Sequence, residues 1–190
     1  MSLDPHSLKA IAPYLKGKVL ALGYPEILSP GVDPFREVDL TCVDLVSERG
    51  EIVADLNEPQ DLGEFDLVID HGTTEHCFNV GQAIKNAAKA VKVGGHIFHS
   101  PPLWMVNHGY YNFSPTALWD FYDQNGWEIK RFEARRLLKD ESHPITRGFA
   151  SSRYAGQKLF PGEESVLCMI AQKKGTTLNW PTQGKYRKSA

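Results

Sequence analysis

Short hydrophobic runs separated by polar segments along this chain predict a sheet interleaved with a few helices. Residues 65–70 (FDLVID) are apolar and rich in β-branched side chains, which predicts a buried strand. Small and apolar residues then recur at helical spacing from residue 80 to 91, and a second apolar run covers residues 95–100. Gly94 and Gly95 are expected to end the helix. A strand, a helix and a strand with short links form a right-handed crossover, which predicts parallel pairing.

The rest of the chain extends this pattern on both sides. Further strands are predicted at residues 19–22, 40–43, 52–54, 127–138 and 165–171. A helix capped by Asp4 is predicted within residues 1–17, and another helix between residues 114 and 126. Because no helical pattern separates the last two strands, we expect them to form an antiparallel pair beside a parallel sheet.

Acidic residues follow three of the predicted strands. Asp44, Asp55 and Asp70 each stand where a strand ends, and His71 comes directly after the last of them. In open parallel sheets, ligands bind beyond the carboxyl ends of the strands. We therefore expect a functional site at this edge.

Length and composition indicate one α/β domain. The chain has 190 residues and a net charge of −2, which gives no argument for nucleic-acid binding. The three cysteines are scattered and form no C-x-x-C motif, which favours a reducing compartment. No apolar run approaches the ~20 residues that a membrane span needs. We expect a cytoplasmic, single-domain protein (residues 1–190, with a loose tail at 175–190) that acts on a small molecule and has no nucleic-acid or membrane partner. A homodimer is left open.

Three segments carry a resemblance to a known family. They are KVLALG (residues 18–23), FDLVIDHGTTEHCFNVGQAIKNAAKAVKVGGHIFHSPP (65–102) and HGYYNFSPTALWDFYDQNGWEI (108–129). Together they resemble the class I S-adenosylmethionine-dependent methyltransferases, and more narrowly a small bacterial and phage-type branch with a short link between the second and third strands. The resemblance implies a Rossmann-like, seven-stranded, mostly parallel sheet with an antiparallel last strand and reduced helices after the first two strands.

The same resemblance implies a cofactor and its site. S-adenosylmethionine would bind, and S-adenosylhomocysteine would be the product. By position in the family's motifs, the cofactor-binding residues would be Gly23, Tyr24, Asp44, Asp55, Leu56, Asn57, Asp70, His71 and Gly72. Asp44 would accept hydrogen bonds from the ribose hydroxyls, as an acid does in dinucleotide folds. The first motif departs from the family's pattern at Ala21, Pro25 and Ile27, where we expect altered cofactor contacts because proline has no N–H to donate.

Histidines and aromatic residues near the same edge are candidates for contact with the acceptor. Alignment with the activated methyl group supplies much of the rate gain, and a base helps when the acceptor is a hydroxyl or an amine. Histidine titrates near neutrality, so His71 and His108 are the predicted catalytic residues. His76, Tyr110 and Tyr111 are the predicted substrate-binding residues.

Two alternatives are left open. Glu75 and His76, with His99 or His108, have the donor types of a metal site. We expect instead that Glu75 and His76 cap the following helix, and we predict no metal site. The second alternative is a non-catalytic protein of this fold that binds a nucleoside-like ligand or a protein partner through residues 142–163. Residues 24–34 would discriminate the enzyme from the binding protein. An open slot beside Gly23 and Asp44 would favour the enzyme, and a slot filled by their side chains would favour the binding protein. A nicotinamide dehydrogenase is disfavoured because no G-x-G-x-x-G follows the first strand.

Overall fold

The structure, a computed structural model, describes residues 2–23, 26–27, 33–46, 50–138, 141–145 and 162–187. Three α-helices lie in these residues: α1 (Pro5–Ile11), α2 (Val80–Lys89) and α3 (Pro115–Gln124). The strands are β1 (Ser2–Leu3), β2 (Lys18–Leu22), β3 (Glu26–Ile27), β4 (Asp39–Asp44), β5 (Ile52–Val53), β6 (Phe65–Asp70), β7 (Val91–His99), β8 (Pro102–Trp104), β9 (Glu128–Arg136), β10 (Glu141–Pro144) and β11 (Ser165–Gln172).

The main sheet has the order β10-β9-β11-β7-β6-β2-β4-β5, and β8 pairs with β11 beside this path. Strands β2, β4, β5, β6 and β7 pair in parallel. Strand β11 runs antiparallel to both β7 and β9. The predicted mostly parallel sheet with an antiparallel last strand is confirmed, and β8 and β10 are short additions to it.

A hydrophobic layer covers each face of the sheet. Alternate residues of a strand point to opposite faces, so Val68 packs on one side while Leu67 and Ile69 pack on the other. The first side is covered by α2 and α3, and the second by α1 with Phe35. This three-layer arrangement leaves the carboxyl ends of the parallel strands as an edge where loops meet.

The N-terminal segment is joined to the loop that follows β2. Ser2 and Leu3 of β1 pair in parallel with Glu26 and Ile27 of β3. The predicted cap is confirmed, since the Asp4 carboxylate accepts hydrogen bonds from the amides of His6 and Ser7. The pairing brings the start of α1 to the edge where the functional site was expected. The helix itself ends at Ile11, and a 3₁₀ turn (Ala12–Tyr14) follows it.

The helix predicted over residues 80–91 does not end at Gly94 and Gly95, so that prediction is wrong. Helix α2 ends at Lys89, and β7 begins at Val91. Gly95 lies inside the strand, where an added Cβ would come 2.9 Å from the backbone oxygen of Asp66. The glycine is required by close approach of two strands rather than by a turn.

Part of the segment expected to be a loose tail is held against α3. The amide of Asn179 donates to Asn125 Oδ1 (2.6 Å), and Asn125 Nδ2 donates to the carbonyl of Asn179 (3.0 Å). The amide of Thr182 donates to Gln124 Oε1 (2.9 Å). In the part of the chain that the structure describes, no helix is long and apolar enough to cross a membrane.

Candidate active site

Strand register places several predicted site residues at one edge of the sheet. Leu22 is opposite both Val43 and Asp70, and Asp70 is opposite His99. The next residue of each strand therefore lies at the same level, namely Gly23, Asp44, His71 and Ser100. Parallel strands bring their carboxyl ends together in this way.

The residues at the ends of β2 and β4 have geometry suited to close contact with a ligand. Gly23 has a positive φ of 75°, and its amide donates to the carbonyl of Val43 (2.8 Å). A side chain would strain the backbone at this φ. Asp44 is half-buried, and its Oδ1 accepts a hydrogen bond from the amide of Leu45 (2.7 Å). The predicted contact residue Tyr24, together with Pro25, lies outside the described residues.

The loop after β5 is tied to the start of α2. The Asp55 carboxylate is exposed and accepts from the amide (2.9 Å) and Nδ2 (2.7 Å) of Asn57, and these bonds hold the pKa of Asp55 below its ordinary value. Asn57 Oδ1 accepts from the amide of Asn79 (2.8 Å), the N-cap of α2. Leu56 is buried in the core, so its backbone rather than its side chain is placed to border a ligand.

Asp70 is fully buried and forms the start of a polar chain that crosses the core. Its Oδ2 accepts from Thr74 Oγ1 (2.7 Å) and lies 2.6 Å from His99 Nδ1. The other ring nitrogen of His99 lies 2.6 Å from the hydroxyl of Tyr122. Burial would raise the pKa of Asp70, but the bonds from His99 and Thr74 hold it below its ordinary value. Asp70 therefore orders the turn that follows β6 and does not itself present a carboxylate to a ligand.

A cavity of about 380 Å³ opens beside this turn. It contains four predicted site residues, His71, Gly72, His76 and His108. It is lined also by Asp4, Glu75, Ser100, Pro102, Met105, Arg135, Leu137 and Val166. The cavity is the place where the structure brings the predicted catalytic histidines together.

His71 is held by the N-terminal helix. Its Nε2 lies 2.9 Å from Ser7 Oγ and 3.4 Å from Asp4 Oδ2. The single hydroxyl proton of Ser7 is donated to Asp4 (3.0 Å). In the hydrogen bond between Ser7 and His71, Nε2 of His71 is therefore assigned as the donor and the Ser7 oxygen as the acceptor. That tautomer leaves Nδ1 as the proton acceptor.

The partner of His71 is a strongly stabilised carboxylate. Burial would raise the pKa of Asp4, but hydrogen bonds from His71 and the amide of Ser7, and the charge of Arg135, hold it well below its ordinary value. Arg135 Nη2 lies 2.6 Å from Asp4 Oδ2. Asp4 is therefore ionised at neutral pH, and its carboxylate lies beside Nε2 of His71.

Glu75, His76 and His108 form a second cluster in the cavity. Glu75 Oε1 lies 3.4 Å from His108 Nε2 and 3.9 Å from His76 Nε2. Glu75 is fully buried, and within the described ranges neither of its carboxylate oxygens has a hydrogen-bond partner. Burial, with the nearby charge of Asp70, raises its pKa to about 8.

The helix-capping role predicted for Glu75 and His76 is wrong. Asn79 is the N-cap of α2, and its side chain accepts from the amide of Gln82 (3.4 Å). The two residues lie instead in a 3₁₀ turn (Thr74–His76), one turn before the helix. His99, the other histidine considered for this cluster, is committed to Asp70 and Tyr122.

The two tyrosines predicted to contact the substrate do not line this cavity. Tyr111 lines a separate apolar cavity of about 260 Å³ together with Trp180, and its hydroxyl donates to the carbonyl of Phe78 (2.8 Å). Tyr110 is 66% exposed and packs edge-on against Phe78. In the cavities formed by described residues, Tyr111 is thus separated from His71 and His108, and the Tyr110 side chain lines neither cavity.

Several residues of this site were not found from the sequence. Asp4 was assigned only as a helix cap, and Ser7, Arg135 and Tyr122 carried no motif. The buried hydrogen-bonded chain of Asp70, His99 and Tyr122 could have been suspected from one feature of the sequence: His99 is a polar residue within an apolar strand run. Residues 24–34, which would discriminate the non-catalytic alternative, lie mostly outside the described residues. So do residues 142–163, the partner-binding segment that this alternative predicts.

Comparison with solved structures defines the fold. A presumed methyltransferase from Bacillus halodurans C-125 superposes with a TM-score of 0.59 and 12% identity, over 90% of this chain and 99% of that chain. A SAM-dependent methyltransferase from Archaeoglobus fulgidus gives 0.54 and 16%, over 88% and 92% of the two chains. The chain has the class I methyltransferase fold.

A third structure of this fold was solved with ligands. It is the 1,6-didemethyltoxoflavin-N1-methyltransferase from Burkholderia thailandensis with bound 1,6-didemethyltoxoflavin and S-adenosylhomocysteine, with a TM-score of 0.54, 16% identity and coverage of 90% and 80%. A scan against protein-family models and a search of curated proteins gave no match.

Proposed function

We propose that this protein transfers the methyl group of S-adenosylmethionine to a small-molecule or glycan-type acceptor. The observation that carries the proposal is the edge of a class I methyltransferase sheet at which Gly23, Asp44 and His71 stand at one level, with His71 lining a cavity. The chain's segments at residues 65–102 and its short link between β4 and β5 further favour the small bacterial and phage-type branch.

The cofactor would lie across the ends of β2 and β4. Gly23 permits close approach of the backbone, as its positive φ indicates. Asp44 supplies a carboxylate for two hydroxyl donors, and the loop carrying Asp55 and Asn57 would border the base. The cofactor brings the chemistry, a methyl group already activated on sulfonium, so this chain's residues have to bind and align the acceptor.

The acceptor would occupy the cavity of about 380 Å³. Its mixed lining of histidines, Arg135 and Ser100 suits a polar molecule with hydroxyl or amine groups. His71 Nδ1 is the proposed proton acceptor, because Nε2 is engaged by Ser7. Asp4 then stabilises the imidazolium that forms, a pairing by which a carboxylate orients and supports a histidine base.

Calorimetric titration with S-adenosylhomocysteine tests the cofactor site, with Asp44→Asn as the variant and Asp39→Asn as its matched control at the opposite end of β4. Hydrogen bonds to a charged group contribute about 1.5–3 kcal/mol, so Asp44→Asn should weaken binding by roughly 10–100-fold. Asp39→Asn should leave the affinity unchanged. A wild-type protein that shows neither heat nor a rise in melting temperature at high ligand concentration contradicts the proposal.

Turnover is tested with labelled S-adenosylmethionine and a panel of sugar, hydroxyl and amine acceptors. His71→Gln should lower kcat by about 10²–10⁴-fold, the usual contribution of a general base, while cofactor affinity stays near that of the wild type. Full turnover by this variant with the true acceptor would exclude His71 as the base.

A further inference from the structure

Glu75 presents a buried carboxyl group to which the described residues donate no hydrogen bond. Its side chain is fully buried and lines the cavity, and across the described part of the chain no hydrogen bond reaches either oxygen. Buried charges in proteins are paired, hydrogen-bonded or bound to a metal. Among the described residues, the Glu75 carboxyl group therefore lacks the hydrogen bonds that a buried carboxylate requires.

Two imidazoles face the same oxygen. The Nε2 atoms of His108 and His76 lie 3.4 Å and 3.9 Å from Glu75 Oε1, and one ligand atom from each of the three residues fits within a span of 4.8 Å. Bonds of 2.0–2.1 Å in a tetrahedral site would set neighbouring ligand atoms about 3.3 Å apart. The separation of Glu75 Oε1 and His108 Nε2 (3.4 Å) is close to that value, and that of Glu75 Oε1 and His76 Nε2 (3.9 Å) is somewhat longer.

The loop that carries His108 is fixed directly on Glu75. The amide of Tyr110 donates to the Glu75 carbonyl (2.9 Å). A Cβ added at Gly109 would lie 2.9 Å from Glu75 Cγ, so the glycine permits this contact. Two segments distant in sequence are thereby held with their nitrogen and oxygen donors together, as preorganised ligands require.

We propose that Glu75, His76 and His108 bind one divalent transition-metal ion, with Zn²⁺ as the ion that this donor set favours. Two imidazoles and one carboxylate are the protein ligands of open zinc sites, in which a fourth position takes water or substrate. Mg²⁺ is a poor match, because it prefers oxygen ligands in an octahedral arrangement. His76 and His108 have side chains that are 49% and 40% exposed, which leaves the site accessible from solvent.

A second group of ligand-type residues, His6, Glu133 and Cys168, is a weaker candidate. Glu133 Oε1 already pairs with Arg131 Nη2 (2.6 Å) and lies 2.9 Å from His6 Nε2. A metal there would have to displace an arginine.

Metal binding assigns separate tasks to the two predicted catalytic histidines. His108 becomes a ligand, which leaves His71 as the base. An open coordination position in the cavity would suit an acceptor that carries hydroxyl groups, and this consequence alone rests on the proposed methyl transfer. Metal binding itself does not, because it is measured without S-adenosylmethionine.

The test uses the full chain, freed of any histidine tag and dialysed against a chelator. Isothermal titration with Zn²⁺ and elemental analysis should give about one ion per chain, and Co²⁺ should give the visible absorption of a tetrahedral site. Glu75→Gln and His108→Ala should each weaken Zn²⁺ binding at least 100-fold, more than the 10–100-fold typical of residues that only support a ligand. His96→Gln, which changes a histidine outside the cavity, should bind as the wild type does.

The variants also separate a metal role from a structural one. Glu75→Gln keeps the shape of the side chain and removes a carboxylate whose oxygens accept no hydrogen bond from the described residues. The metal-free variant should therefore melt no lower than the wild type, while its zinc affinity falls. His108 lies on an exposed loop, so His108→Ala should keep the wild-type circular dichroism. The proposal is overturned if the wild type binds no zinc or if His108→Ala binds zinc with wild-type affinity. It is overturned also if His6→Ala, rather than the variants of the proposed ligands, loses zinc.

Discussion

The buried chain Asp70–His99–Tyr122 allows a stability prediction from a single hydroxyl group. All three side chains have no solvent exposure, and the Tyr122 oxygen lies 2.6 Å from His99 Nε2. Tyr122→Phe removes that oxygen and changes the packing hardly at all. It leaves a ring nitrogen of His99 buried without its partner.

The size of the effect follows from these contacts. Loss of a hydrogen bond costs about 1 kcal/mol, and an unsatisfied buried polar atom costs about 1–3 kcal/mol, so we expect a loss of about 2 kcal/mol. For a chain of this length that corresponds to a fall in Tm of about 4–8 °C. In urea the midpoint should fall by roughly 0.7–1 M with the slope unchanged.

Urea unfolding followed by circular dichroism measures this change, with Tyr110→Phe as the matched control. Tyr110 is 66% exposed, so the control should stay within about 0.5 kcal/mol of the wild type. His99→Phe should cost more, about 3–5 kcal/mol, because it removes a partner of the buried Asp70 carboxylate. In the His99→Phe background, Tyr122→Phe should cost little. Equal losses for Tyr122→Phe and Tyr110→Phe would refute the hydrogen-bonded chain.

Three further changes have defined outcomes. The fold holds the pKa of Asp4 below its ordinary 3.8, so the ionised side chain stabilises the protein fully above that pH and progressively less as the pH falls below it. Asp4→Asn should therefore lose less stability than the wild type between about pH 4 and pH 2, as measured by urea unfolding. Lys173→Met should cost about 2–3 kcal/mol by thermal unfolding, because Lys173 Nζ donates to three backbone carbonyls around the end of α2. Gly109→Ala should displace the loop carrying His108, with weaker zinc binding by calorimetry and unchanged circular dichroism, since the new Cβ would meet Glu75 Cγ at 2.9 Å. The first prediction is contradicted if Asp4→Asn loses stability between about pH 4 and pH 2 as steeply as the wild type does. An unchanged Tm in Lys173→Met contradicts the second, and wild-type zinc affinity in Gly109→Ala contradicts the third.

Local patterns were sufficient for seven strands of the main sheet and for the edge at which the parallel ones end, but not for the short strands β1, β3, β8 and β10. The run at residues 65–70 is a strand with those same limits, and Gly23, Asp44 and His71, at the carboxyl ends of β2, β4 and β6, lie at one level. Apolar periodicity reports burial of a segment, and a parallel sheet brings carboxyl ends together whichever strands are neighbours. Glycine was harder to interpret, because Gly95 serves close strand approach in the interior of β7, whereas sequence alone favoured a helix end.

The cavity shows the limit of that information. The sequence determined that acidic residues and histidines would follow the strands, and therefore where a site should be sought. Only the tertiary structure decided that Asp4 supports His71, that Tyr122 completes the Asp70–His99 chain, and that His108 reaches Glu75. These partners are far apart in the chain, and their contact depends on strand order, on the pairing of β1 with β3 and on the path of a loop. Such non-local packing leaves no periodic pattern in the sequence.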